Sequence, residues 1–207
     1  MAYIRLIGLI LGIHLLAVIS PGPDFVMVLK NALQHNRKIA IYTSLGISMG
    51  IAVHILYSLA GVAYLLQQNH LLFSFVKTAG ALYIIYMGVK TIAGKWKKLE
   101  IQSDKNTKPM GAHKAIQIGF VTNALNPKAS LFFLSIFSIV IPPETPAYVL
   151  AIISASVILV TFLWFAFVSF VFTNNRIRKH YEKYELYITR FFGFVLILLG
   201  ISIFYDL

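Results

Sequence analysis

The sequence predicts an all-α polytopic membrane protein: six transmembrane helices arranged as two inverted three-helix repeats, with the first and fourth helices broken. Three observations lead there: a composition too apolar for a soluble surface, six long apolar stretches, and a proline-centred interruption that recurs half a chain apart.

Composition sets the class. The chain has 207 residues, 58% hydrophobic and 12% charged, with a mean hydropathy of +0.78. A soluble domain carries about 25% charged residues, so this chain has roughly half the charge needed to cover a water-facing surface. Six spans of about 20 residues need about 120 apolar side chains, and 58% of 207 supplies about that number. Soluble enzymes, disordered chains and disulfide scaffolds are excluded. With no cysteine there is no thiolate metal site or cysteine nucleophile. The expected organisation is one transmembrane domain over 1–207: a first repeat at about 1–93, a basic cytoplasmic loop at about 94–113, and a second repeat at about 114–207.

The six stretches run Ile4–Leu33, Ile39–Leu66, Leu71–Ile92, Ala115–Ile141, Ala147–Phe172 and Leu186–Tyr205. The first is interrupted at Pro21–Asp24 and the fourth at Asn126–Lys128. Each is long enough to cross about 30 Å of hydrocarbon as a helix. They are continuously apolar and lack the period-two alternation of membrane strands. Arg5 followed by Leu6–Ile19 imitates a signal peptide, but no small-x-small cleavage site follows. The expectation is a retained first helix.

Basic residues set the expected orientation. Fifteen of the 18 Lys and Arg fall in three windows: 30–38, 90–114 and 176–190. The turns near Gln67–His70 and Pro142–Pro146 contain none. Positive charge marks cytoplasmic loops, which predicts an inner-membrane protein with both termini outside. The windows account for most of the net charge of +11 through lipid headgroups. Nucleic-acid binding is not expected, because no folded basic domain carries it.

The interruptions carry the functional signal. Ser20-Pro21-Gly22-Pro23-Asp24 in the first span corresponds to Asn126-Pro127-Lys128 in the fourth, and Pro23 and Pro127 are 104 residues apart (127 − 23). With three spans per half, the second copy runs through the membrane in the opposite sense. Lys77-x-x-Gly80 with Gly88, and Arg190-x-x-Gly193 with Gly200, repeat weakly in the third and sixth spans. Proline removes a donor and frees a carbonyl one turn earlier. In hydrocarbon, freed backbone survives only where protein or a water-filled cavity satisfies it. Matched broken helices in inverted repeats are the sequence mark of a transporter site. Ordinary proline kinks are the plainer reading.

Both interruptions hold a charge, Asp24 and Lys128. A charge at the bilayer centre costs about 2.5–3.5 kcal/mol. Lys128 lies about 21 Å of helix beyond Lys114, and Asp24 about 9 Å before Lys30. An Asp24–Lys128 pair across the repeat interface is expected; the alternative is that each side chain snorkels to an interface. Asn123 and Asn126 offer amides to an amino acid or cap the broken helix ends. His54 is an intramembrane ionisable group, read either as a proton carrier or as an interhelical hydrogen bond. His14 is ambiguous. Tyr83 and Tyr86 are expected at protein seams. Gly46-x-x-x-Gly50 forms a small-xxx-small packing face. Gly46-Ile47-Ser48-Met49-Gly50 also matches a nucleophile elbow, but it lies within one helix, and His54 falls about 240° around from Ser48. Scattered histidines argue against a metal site, and no cofactor is expected.

At these residues the sequence resembles the lysine-exporter (LysE) superfamily, in particular its RhtB branch of homoserine/threonine-type exporters. The features are Ser20-Pro21-Gly22-Pro23-Asp24, then Gly46-x-x-x-Gly50-x-x-x-His54. In the second half they are Gly119-Phe120-x-Thr122-Asn123-x-x-Asn126-Pro127-Lys128-Ala129 and Leu131-Phe132-Phe133. Order and spacing agree over nearly the whole chain. The resemblance implies export of amino acids or related small metabolites, in exchange for protons. Asp24, where the lysine-exporting branch has glutamine, implies a neutral substrate. The family's Pro-Gln-Phe ending is replaced here by Phe137-Ser138-Ile139-Val140. The expected partners are an amino acid, protons, the bilayer and a second copy in a homodimer, since six helices make a small body for enclosing a path. The other readings are a non-transporting membrane assembly protein and a membrane-embedded hydrolase.

Overall fold

A computed structural model describes residues 2–20, 22–68, 70–93 and 109–205. Pro21 and residues 94–108 of the expected basic loop lie outside the described residues. Eight α-helices are present among the described ones: α1 Ala2–Ile19, α2 Pro23–Gln34, α3 Arg37–Gln68, α4 His70–Ala93, α5 Ala112–Ala124, α6 Pro127–Val140, α7 Ala147–Phe172 and α8 Asn175–Tyr205.

Each apolar stretch read from the sequence lies on helix. Among the described residues two segments, Arg37–Val62 and Ala147–Phe172, are long and apolar enough to cross a membrane unaided; counting each bent pair, α1 with α2 and α5 with α6, as one span makes up to four. Among the described residues all the regular structure is helical, consistent with a polytopic membrane protein. The α8 helix starts well before the apolar stretch that predicted it, and its continuously apolar part is Leu186–Ser202.

The distribution of side chains fits an apolar solvent. On α7, Val149, Ile153, Val157, Thr161 and Phe165 form a buried stripe at four-residue spacing. The opposite face is also apolar, with Leu159 55% and Phe167 57% exposed. A helix apolar all round belongs in a large core or a membrane. Polar side chains sit inside instead: His14, Asn31, Thr43, Ser44, His54, Asn123 and Asn126 are all buried.

The α3 helix is the hub, packed against α2, α4, α5, α6 and α7. Its contact with α5 depends on missing side chains. A Cβ on Gly46 would collide with the Ile116 carbonyl oxygen, and one on Gly119 with the Thr43 carbonyl oxygen. The two backbones therefore touch, as small-residue faces permit where no hydrophobic force drives helices together. Helices α4 and α8 meet the same way: a Cβ on Gly88 would stand 2.6 Å from the Gly193 carbonyl oxygen, and one on Gly200 would stand 2.6 Å from Ile85 Cγ1.

These clearances make a direct test. Gly46→Ala should lower the thermal midpoint of detergent-solubilised protein, by the equivalent of about 1–3 kcal/mol. Gly61→Ala, on the same helix with nothing within 4 Å of the new Cβ, should leave it unchanged or raise it. Equal responses would contradict the α3–α5 contact.

Candidate functional site

Both breaks follow one local rule. Pro23 and Pro127 are the first residues of α2 and α6, the position where proline's missing N–H costs nothing and its fixed φ favours helix. The interruptions are thus shorter than expected. Asp24 and Lys128 belong to the first turns of α2 and α6, not to the gaps. The bends are 58° between α1 and α2, and 57° between α5 and α6. Gly22 is extended (φ −161°, ψ −171°), a conformation open to any residue. A Cβ there would make ordinary contact, 3.5 Å from Lys128 Cδ.

Each break exposes the polar ends of half-helices, and side chains of the second break reach across to the first. Lys128 Nζ donates to the carbonyl oxygens of Ser20 (2.9 Å) and Ala17 (3.2 Å). A cation thereby sits at the negative end of α1. In return, Asn123 and Asn126 both donate from Nδ2 to Asp24 Oδ2, at 3.0 and 2.9 Å. The Asn126 amide is oriented by its other end: Oδ1 caps α6 by accepting from the Lys128 backbone N–H at 3.0 Å, which turns Nδ2 toward the carboxylate. The capping role expected from the sequence is present in Asn126, and the same side chain also binds Asp24, a partner the sequence reading did not assign.

The expected direct Asp24–Lys128 pair is corrected by this geometry. The carboxylate takes amide N–H groups and the ammonium takes orphaned carbonyls, because the breaks present those partners close by. Both groups make their hydrogen bonds with protein partners. Asp24 Oδ1 is buried and has no hydrogen-bond partner among the described residues.

His54 holds the second break from behind. Its Nε2 lies 2.8 Å from the Asn123 carbonyl oxygen. A carbonyl only accepts, so Nε2 carries the proton. Its Nδ1 lies 2.7 Å from the Tyr57 hydroxyl, which therefore donates to it. The ring stacks on Phe133, with 6.1 Å between centroids. One turn earlier, a Cβ on Gly50 would stand 2.7 Å from Asn123 Oδ1. Gly50 thus leaves room for Asn123, while Gly46 serves the helix crossing itself. Ser48 donates its hydroxyl to the Leu45 carbonyl oxygen at 2.8 Å, an ordinary intrahelical bond. Tyr83 donates to the Lys128 carbonyl oxygen at 3.5 Å. Tyr86, expected at a seam, is 54% exposed.

A cavity of about 40 Å³ lies between the breaks, lined by His14, Ser20, Gly22, Asp24, Asn126 and Lys128 with apolar neighbours including Phe132, Phe133 and Phe165. That volume holds roughly three water molecules. Sequence reading left His14 ambiguous and missed its partner Thr161, 2.8 Å away. The available signal was a hydroxyl on the buried stripe of α7, where most positions are apolar.

Residues 15–207 match the family model described as LysE type translocator. A threonine efflux protein of Salmonella typhimurium is 30% identical over 87% of this chain and 88% of its own length. A threonine efflux protein of Escherichia coli K12 is 29% identical over the same shares. A leucine efflux protein of Klebsiella pneumoniae is 29% identical over 80% of each chain. No solved structure matches.

Asn126→Ala removes both a cap and a donor to Asp24. It should destabilise the detergent-solubilised protein by about 1–3 kcal/mol, whereas Gly22→Ala should change its melting little. Insensitivity to Asn126→Ala would contradict the interlocked geometry.

Proposed function

Because the chain belongs to the family of LysE type translocators, which are transporters and not enzymes, we propose that it is a secondary transporter exporting neutral amino acids, of homoserine or threonine type, or related small metabolites, from the cell by proton antiport. The observation that carries this reading is the lone acceptor Asp24 Oδ1, buried in a carboxylate whose other oxygen is engaged by two amides. One oxygen can hold a proton or a substrate ammonium, but not both at once. Mutually exclusive occupancy is what ties the exit of one to the entry of the other. Lys128, whose three donors meet two carbonyls, supplies its third to the substrate carboxylate. Asn123 and Asn126 hold Asp24 in place, with His54 and Gly50 behind Asn123.

In this reading the bent pairs are the first and fourth of six spans, and the two halves are inverted repeats. The packing supports that assignment: α5 and α6 lie on α3 as α1 and α2 lie on α7, while α3 with α7 and α4 with α8 pair across the halves. Substrate passes between the bent pairs as one repeat rocks against the other. The basic windows face the cytoplasm, both termini face outward, and assembly is as a homodimer. The relatives named for threonine and leucine efflux support a neutral amino acid as cargo.

Purified protein in proteoliposomes should exchange a radiolabelled neutral amino acid with movement of protons, and Asp24→Asn should abolish the proton movement. Substrate exchange with full proton movement in Asp24→Asn would take Asp24 out of the coupling role. Absence of exchange for every amino acid in a mixed panel would overturn the transport reading.

A further inference from the structure

A second buried acceptor without a partner among the described residues belongs to a residue that lines the cavity, and hydrogen-bond logic identifies it. His14 is 1% exposed and lines the cavity. Its Nε2 lies 2.8 Å from Thr161 Oγ1. The hydroxyl of Thr161 has one proton, and that proton is directed at the Val157 carbonyl oxygen, 2.9 Å away within α7. Thr161 therefore receives from His14, and the proton of the neutral ring sits on Nε2. Nδ1 is left with a bare lone pair, buried and without a partner among the described residues. The same bookkeeping on His54 gives the same tautomer, but there Nδ1 is satisfied by Tyr57. His14 is clamped by the rings of Phe132 and Phe133, with centroids at 6.0 and 5.5 Å, so it cannot easily turn to find a partner.

We propose that His14 is a specificity-determining residue, whose Nδ1 accepts a hydrogen bond from a hydroxyl on the substrate side chain while Thr161 fixes the tautomer that makes it an acceptor. The inference rests on the transport reading above and adds a third contact to the two that read the amino acid's backbone groups. An α-amino acid offers an ammonium to Asp24 Oδ1 and a carboxylate to Lys128. A hydroxyl on its side chain is the one further donor that meets Nδ1. A substrate lacking it leaves a buried acceptor unpaired, which is the situation in which binding sites discriminate most sharply. Thr161 acts through His14 and is a positioning residue.

The test compares L-threonine with L-2-aminobutyrate, which has hydrogen in place of the hydroxyl on the same skeleton, as competitors in proteoliposome counterflow. Wild-type protein should prefer threonine roughly tenfold to a hundredfold. His14→Leu should bring the ratio near one by losing threonine affinity while keeping 2-aminobutyrate exchange. His14→Asn, which puts an amide oxygen within reach of the Nδ1 position, should recover part of the preference. Thr161→Val should also reduce the ratio, because the ring is then free to take either tautomer. Thr161→Val decides the matter where His14→Leu does not yield folded protein. A structural role alone would depress both substrates together. A wild-type ratio near one, or an unchanged ratio in the informative variant, would overturn the assignment to His14 while leaving export intact. Failure of wild-type protein to exchange any amino acid would instead overturn the transport reading and this inference with it.

Discussion

Broken backbone has to be satisfied without water, and the arrangement of this chain around its centre follows from that constraint. A helix end in hydrocarbon leaves carbonyls and amides whose burial costs several kcal/mol each. Here the ends are joined across the two halves of the chain. Lys128 serves the carbonyls that close α1, and the amides beside Lys128 serve the carboxylate that opens α2. The first break depends on the second for its carbonyls and its carboxylate alike, while the second is held by its own Asn126 cap and by His54. That dependence also puts Asp24 and Lys128 beside one cavity.

The hub helix and its glycines set the distance over which this works. Gly46 and Gly119 let α3 and α5 touch, Gly50 admits the side chain of Asn123, and His54 pins the backbone of that asparagine. A bulkier α3 would hold α5 away and with it the amide that reaches Asp24. Precision at a carboxylate is thus inherited from packing one and two turns away, as supported functional sites generally require.

Much of this was legible in the sequence because the signals are physical. Charge depletion and apolar length read as membrane helices, and paired Pro-containing interruptions read as breaks in matching places. Asp24, Lys128, Asn123 and Asn126 were singled out; Asp24, Asn126 and Lys128 line one cavity, and Asn123 is hydrogen-bonded to Asp24 behind it. What sequence reasoning missed is partner choice. Opposite charges suggested a direct pair, since pattern alone does not reveal orphaned carbonyls of Ala17 and Ser20, 108 to 111 residues away. The placement of both prolines at the first helical position, and hence of both charges inside a first turn, needed local conformation as well as composition. Thr161 carried almost no signal: it is one of several hydroxyls on an apolar helix, and such a hydroxyl usually bonds its own backbone. It does so here, and only the position of His14 makes that bond informative.

The interlock has a spectroscopic signature, and the absence of cysteine leaves the native chain free of thiol chemistry in long measurements. Dipolar recoupling between ¹⁵Nζ of Lys128 and selectively ¹³C-labelled carbonyl or carboxyl carbons, on protein in lipid bilayers without substrate, reads the partner of the ammonium directly. The account predicts strong coupling to the carbonyl carbons of Ala17 and Ser20 and weak coupling to the side-chain carboxyl carbon of Asp24. Strong coupling to Asp24 with none to the two carbonyls would contradict it, and would replace the exchange of partners between the breaks with a simple ion pair.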